Sequence, residues 1–136
     1  MTGANRGIGK EFARALLERG ASKVYAAVRD AGRLSVPGTQ PLLLDITDGT
    51  SVAVAAAQAP DVTLLVNNAG VALAQDLVTG DLRAIRTEIE TNLFGTLSMI
   101  RAFAPVLGRN GGGGMINVLS AASWFTYLRG RPYVAR

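Results

Sequence analysis

Ile8, Phe12, Leu16 and Leu17 recur at helical spacing while Glu11, Arg14 and Glu18 take the other side, and Gly20 stands where helices commonly stop. The pattern predicts an amphipathic helix of roughly three turns. Val24 to Val28 is a short apolar run suited to a strand, followed by a turn-rich connection from Arg29 to Gly38 and a second apolar run, Leu42-Leu43-Leu44, that ends at Asp45. Thr47 or Asp48 can cap a small-residue helix running to about Ala59, broken by Pro60. Val62 to Val66 is the most strand-like run in the chain. Ile85, Ile89, Leu93, Leu97, Ile100, Phe103 and Leu107 then repeat at threes and fours, which predicts one long helix from about Asp81 to Asn110 and the glycines 111–114. Met115 to Leu119 reads as a further buried strand.

Strands that are apolar throughout, alternating with helices through short connections, predict a parallel sheet covered on both faces. The expected fold is α/β, a Rossmann-like doubly wound sheet, in a single domain spanning residues 1–136. The first job the sequence suggests lies at its start. Thr2-Gly3-Ala4-Asn5-Arg6-Gly7-Ile8-Gly9 is a glycine-rich turn running into a helix, a device that seizes a dinucleotide's pyrophosphate with backbone N–H groups and the positive end of the helix. Gly7 and Gly9 are expected where side chains would obstruct a ligand; an ordinary strand–helix turn is the rival reading. Such a loop normally follows a buried strand, and only Met1 precedes Thr2. The sheet is therefore expected to be incomplete, lacking its first strand and its C-terminal strands, with a gap between the strands at Val24–Val28 and Val62–Val66 and marginal stability as a consequence.

Composition narrows the chemistry. With 49% apolar residues the chain is expected to bury a core, and no window approaches ~18 uninterrupted apolar residues or shows a signal peptide, so a cytoplasmic location is the default expectation. Zero cysteines and zero histidines exclude disulfides, thiolate or imidazole catalysis and His-built metal sites, and no metal is expected. Any acid–base group must be Tyr, Lys or a carboxylate. The net charge of +4 is uneven: residues 1–90 hold 9 basic and 10 acidic side chains, residues 91–136 hold 5 basic and none acidic. Those arginines are scattered, which argues against nucleic acid as a partner.

Four ordered signals, TGxxxGIG at residues 2–9, Asn67-Asn68-Ala69-Gly70 after a strand, Asn92 in a long helix and Ser120 thirteen residues before Tyr133, closely resemble the short-chain dehydrogenase/reductase family. The resemblance implies an oxidoreductase acting on a small carbonyl or alcohol substrate, homo-oligomeric in its full-length relatives. It implies cofactor contacts from Gly3, Asn5, Arg6, Gly7, Ile8 and Gly9, and from Asn68, Ala69 and Gly70 beside the adenine ribose, where bracing of the sheet is the weightier role for the asparagines. Asp45 resembles the residue that meets the adenine amino group; a helix-capping carboxylate is the alternative. An NAD-selective site places a carboxylate about twenty residues beyond the loop. Val28 stands nineteen residues after Gly9, Arg29 follows it, and Arg6 precedes Gly7, so two guanidinium groups are available for a 2′-phosphate and NADP is expected rather than NAD.

By the same resemblance Tyr133 is the proton donor or acceptor, Ser120 polarises the substrate oxygen, and Asn92 links an active-site lysine to water. A free phenol of pKa about 10 is only ~0.1% ionised at pH 7, which is why the family places a lysine four residues on. Tyr133-Val134-Ala135-Arg136 stops one position short of it, and Arg136 is a poor substitute because it does not exchange protons near neutrality. Two readings follow: the cofactor-binding portion of an NADP-dependent reductase or dehydrogenase, or a non-catalytic dinucleotide-binding module or inert fragment.

Overall fold

The computed structural model describes residues 1–121. Its elements run α1 (Gly7–Glu18), β1 (Tyr25–Val28), a 3-10 turn (Ala31–Arg33), β2 (Gln40–Leu43), α2 (Gly49–Gln58), β3 (Leu64–Asn67), α3 (Leu82–Ile89), a π-helical segment (Glu90–Gly95), α4 (Thr96–Arg109) and β4 (Gly114–Asn117). Strand and helix alternate as the hydrophobic pattern demands, with boundaries within two residues of the expected ones at most strands. Asp48, not Thr47, caps α2 by accepting from Thr50 N–H at 2.9 Å, and Asp81 caps α3 by accepting from Arg83 N–H at 2.9 Å.

The sheet comes in two parallel halves, β1 beside β2 and β3 beside β4. Between them runs only the backbone of Met1 to Gly3. Thr2 N–H donates to Val66 O at 3.0 Å, Gly3 N–H to Ala27 O at 3.0 Å, and Ala27 N–H to Met1 O at 2.8 Å. Met1 to Gly3 thus pairs with both neighbours, Thr2 bridging Ala27 in the parallel sense. β1 is covered on both faces, and its side chains alternate accordingly. Ala26 and Val28 pack with Ala13 of α1, whereas Ala27 joins Leu42, Val52, Leu65, Met99 and Phe103 in the core under α2 and α4.

On one face of β3 and β4, Leu64 and Ile116 are 39% and 46% exposed among the described residues, whereas Val66 is buried. One expectation needs correction. The single long helix is interrupted by the wider π turn around Asn92, because that side chain reaches out of the helix to the main chain at Val71. α4 ends with Asn110, whose amide donates to Pro60 O and Val62 O at 2.9 Å each and ties the helix end to the approach of β3. No helix among the described residues is long and apolar enough to cross a membrane.

Candidate functional site

A cavity of about 1370 Å³ opens at the C-terminal ends of the strands, where open parallel sheets place their ligands. Its floor is the glycine loop. Gly3 and Gly7 have φ of +66° and +53°, which only glycine adopts without strain. Gly9 serves differently from expectation: a Cβ there would lie 2.2 Å from Gly3 O and 2.5 Å from Asn68 Nδ2, so the missing side chain makes room for the protein's own loop. Gly7 has nothing within 4 Å of its Cβ direction. Helix α1 thereby starts directly above the loop. The N-cap residue Arg6 supplies no side-chain cap and no acid stands in the first turn, so the leading N–H groups at Gly7, Ile8 and Gly9 border the cavity without a carboxylate competing for them.

Asn68 and Thr2 hold this loop in place. The Asn68 amide donates to Thr2 O at 3.2 Å and Gly3 O at 3.4 Å, and the buried Thr2 hydroxyl accepts from Asn68 N–H and Ala69 N–H, both at 3.0 Å. Asn67 turns the other way and donates to Asn117 Oδ1 at 2.9 Å, clamping β3 to β4. Thr2 escaped the sequence reading as a working residue. The signal was present, since a hydroxyl beside a sharp backbone turn is a ready acceptor for orphan N–H groups.

Arg6 and Arg29 are both exposed and both line the cavity, with Asn5 between loop and helix. Asp30 lines it as well, but its carboxylate accepts from Gly32 N–H at 3.0 Å and caps the following turn. Asp45 sits at the mouth after β2. Its Oδ1 accepts from Thr47 Oγ1 at 2.7 Å and Thr47 N–H at 2.9 Å, and these bonds, aided by the Arg29 charge, hold its pKa below the usual carboxylate value. It stabilises its own turn and does not cap α2, so the helix-cap alternative falls.

Asn92, buried behind the Val71 stretch of the cavity wall, has both amide atoms engaged: Oδ1 accepts from Val71 N–H and Nδ2 donates to Val71 O, each at 2.9 Å. One turn earlier Glu88, fully buried, accepts from Leu73 N–H and, at 3.3 Å, from Ala74 N–H. Ala74 is the one non-glycine with positive φ among the described residues, at 56°. Glu88 was not singled out by the sequence. Together the two side chains fasten the segment after Gly70 against the helix. Ser120 follows β4 at the same end of the sheet, since Val118 N–H donates to Asn67 O at 2.8 Å; Tyr133 lies outside the described residues. No group of three or more potential metal ligands occurs among the described residues.

Comparison with known proteins gives one family. The family model described as short chain dehydrogenase matches residues 1–136. Over 129 residues the chain is 35% identical to D-erythrulose reductase of Gallus gallus, covering 90% of this chain and 52% of that one. It is 30% identical to the NADP-dependent 3-hydroxy acid dehydrogenase of Schizosaccharomyces pombe, covering 98% and 57%. A short chain dehydrogenase from Burkholderia cenocepacia, solved in complex with NADP, superposes with a TM-score of 0.92 at 47% identity over 98% of this chain and 57% of that one. The chain spans about half the length of the curated relatives it matches.

Proposed function

The chain belongs to the short-chain dehydrogenase family, and from that premise we propose that it binds NADP(H) in the Thr2–Gly9 cradle as the cofactor half of an oxidoreductase acting on a carbonyl or alcohol. The observation that carries this reading is the convergence of Arg6, Arg29 and the uncapped start of α1 on one cavity. The cradle fits the group. Gly7 leaves space where a side chain would stand, the first-turn N–H groups suit the pyrophosphate, and two guanidinium groups suit a 2′-phosphate as charge-assisted forks. Asp45, beside β2, is within the same cavity for the adenine end, and Ala69 and Gly70 border the ribose path. The NADP named in the Burkholderia complex supports the same cofactor here.

When bound, the nicotinamide supplies or accepts the hydride. The residues of this chain move the proton and hold the oxygen. In reduction, the Tyr133 hydroxyl would give its proton to the substrate oxygen, and the Ser120 hydroxyl would donate a hydrogen bond to that oxygen. In oxidation the same proton returns to Tyr133. Asn92 contributes through Val71, keeping the wall beside the reacting end fixed.

Fluorescence titration tests the cofactor assignment. Arg6→Ala and Arg29→Ala should each weaken NADPH about tenfold, the loss of one charge-assisted contact, and NADH less than about twofold. Equal losses for both cofactors would refute the 2′-phosphate role. Absence of NADPH binding by the parent chain would refute the cradle itself.

A further inference from the structure

Glu88 is the one charged side chain buried among the described residues, and neither the glycine cradle nor the proton chemistry uses it. A carboxylate on a helix face packed against the body of the protein carries a desolvation penalty that a leucine in the same place would not. Its hydrogen bonds show what it does there. Oε1 accepts from Leu73 N–H and, at 3.3 Å, from Ala74 N–H, both in the segment that leaves Gly70. Ala74 takes φ of +56°, a left-handed conformation that a residue with a Cβ resists. Four residues after Glu88, Asn92 grips both backbone groups of Val71 at 2.9 Å. The segment is thus held at two points by one helical face.

The same stretch of helix also meets the loop after β2. A Cβ on Gly95 would come within 2.8 Å of Ile46 Cγ1, so the helix lies directly on Ile46 because that side chain is missing. Val71 follows β3 and Ile46 follows β2, and both line the cofactor cavity, as does Thr91 on the helix between them. Glu88 to Gly95 therefore braces two loops that border one cavity. The hold on the Val71 side depends on Glu88 and Asn92, and Glu88 does not itself border the cavity.

We propose that Glu88 is a positioning residue for cofactor binding: acting through Leu73 and Ala74, its carboxylate fixes the Gly70–Val71 wall against which the dinucleotide lies. The inference rests on the assignment of this cavity to NADP(H). Without the acceptor, Ala74 relaxes out of its left-handed conformation and the segment after Gly70 samples other arrangements. The cofactor must then select the competent one, and apparent affinity falls by the fraction of chains that hold it. Asn92 keeps Val71 attached, so the wall is loosened and not lost.

Fluorescence titration with NADPH compares the parent chain with Glu88→Leu, which removes the acceptor, and Glu88→Gln, which keeps an acceptor oxygen. The expected result is a Kd raised about tenfold in Glu88→Leu, as when the competent wall is populated about one time in ten, and less than about threefold in Glu88→Gln. A folded Glu88→Leu chain that binds NADPH like the parent would overturn the proposal, and so would a glutamine variant as weak as the leucine one. A second readout needs no variant. Because coupling between sites is reciprocal, NADPH should slow amide exchange at Leu73 and Ala74 of the parent chain at least about threefold beyond its effect at Ala59, whose N–H is bonded at the far end of α2. Leu73 and Ala74 do not line the cavity, so direct shielding by the ligand does not produce this difference. Equal slowing at the three amides would overturn the role of Glu88 even if Glu88→Leu failed to fold, while leaving the cofactor assignment intact. A parent chain that bound no NADPH would sink that assignment and this inference with it.

Discussion

Replacing Gly9 with alanine tests the link between helix packing and cofactor binding most directly. The new methyl carbon would stand 2.2 Å from Gly3 O and 2.5 Å from Asn68 Nδ2. Neither neighbour can step aside alone, because Gly3 is fixed by its N–H bond to Ala27 O at 3.0 Å and the Asn68 amide is committed to Thr2 O and Gly3 O. Relief requires α1 to withdraw from the loop by about 1 Å, enough to reach ordinary contact. Overpacking of this kind costs about 1–3 kcal/mol, and each Asn68 bond stretched in the process adds roughly 0.5–1.5 kcal/mol. Alanine's better helix propensity returns about 1 kcal/mol. The net loss is about 1–5 kcal/mol, or a fall in Tm of roughly 4–20 °C at about 4 °C per kcal/mol. Because the same movement carries the α1 N–H groups away from the phosphate position, NADPH affinity should fall in parallel. Gly7→Ala is the control for stability: its Cβ meets nothing within 4 Å, leaving only the strain of φ at +53°, about 1–2 kcal/mol. Thermal melts by circular dichroism compare the two variants, and fluorescence titration with NADPH compares Gly9→Ala with the parent. A Gly9→Ala chain that melts and binds like the parent, or a Gly7→Ala chain that melts as low, would refute the packing argument.

Two further outcomes follow from side chains that hold the loops. Thr2→Val keeps the shape but leaves Asn68 N–H and Ala69 N–H without their acceptor, so it should lower stability by about 2–4 kcal/mol in denaturant melts; a change under about 0.5 kcal/mol would refute Thr2 as the anchor. Glu88→Leu should free the 71–74 segment and speed amide exchange at Leu73 and Ala74, whereas Glu88→Gln, which retains an acceptor oxygen, should preserve protection; equal behaviour of the two variants would dismiss the hydrogen bonds.

The sequence by itself determined the order and kind of the elements, the glycine loop and the family to which they belong. Those features are local: helical periodicity from Ile8 to Leu17, apolar runs bounded by turns, and glycines at fixed spacing all express constraints between near neighbours in the chain. The tertiary structure decided what the polar side chains do. Thr2 meets Asn68 and Ala69 across 66 and 67 residues, Asn92 reaches Val71 across 21, and Glu88 reaches Leu73 across 15. None of these pairings leaves a periodic trace, because a single buried hydrogen bond depends on how whole elements dock. The same holds for Gly9, whose missing side chain accommodates the protein's own loop, and for the π turn at Asn92.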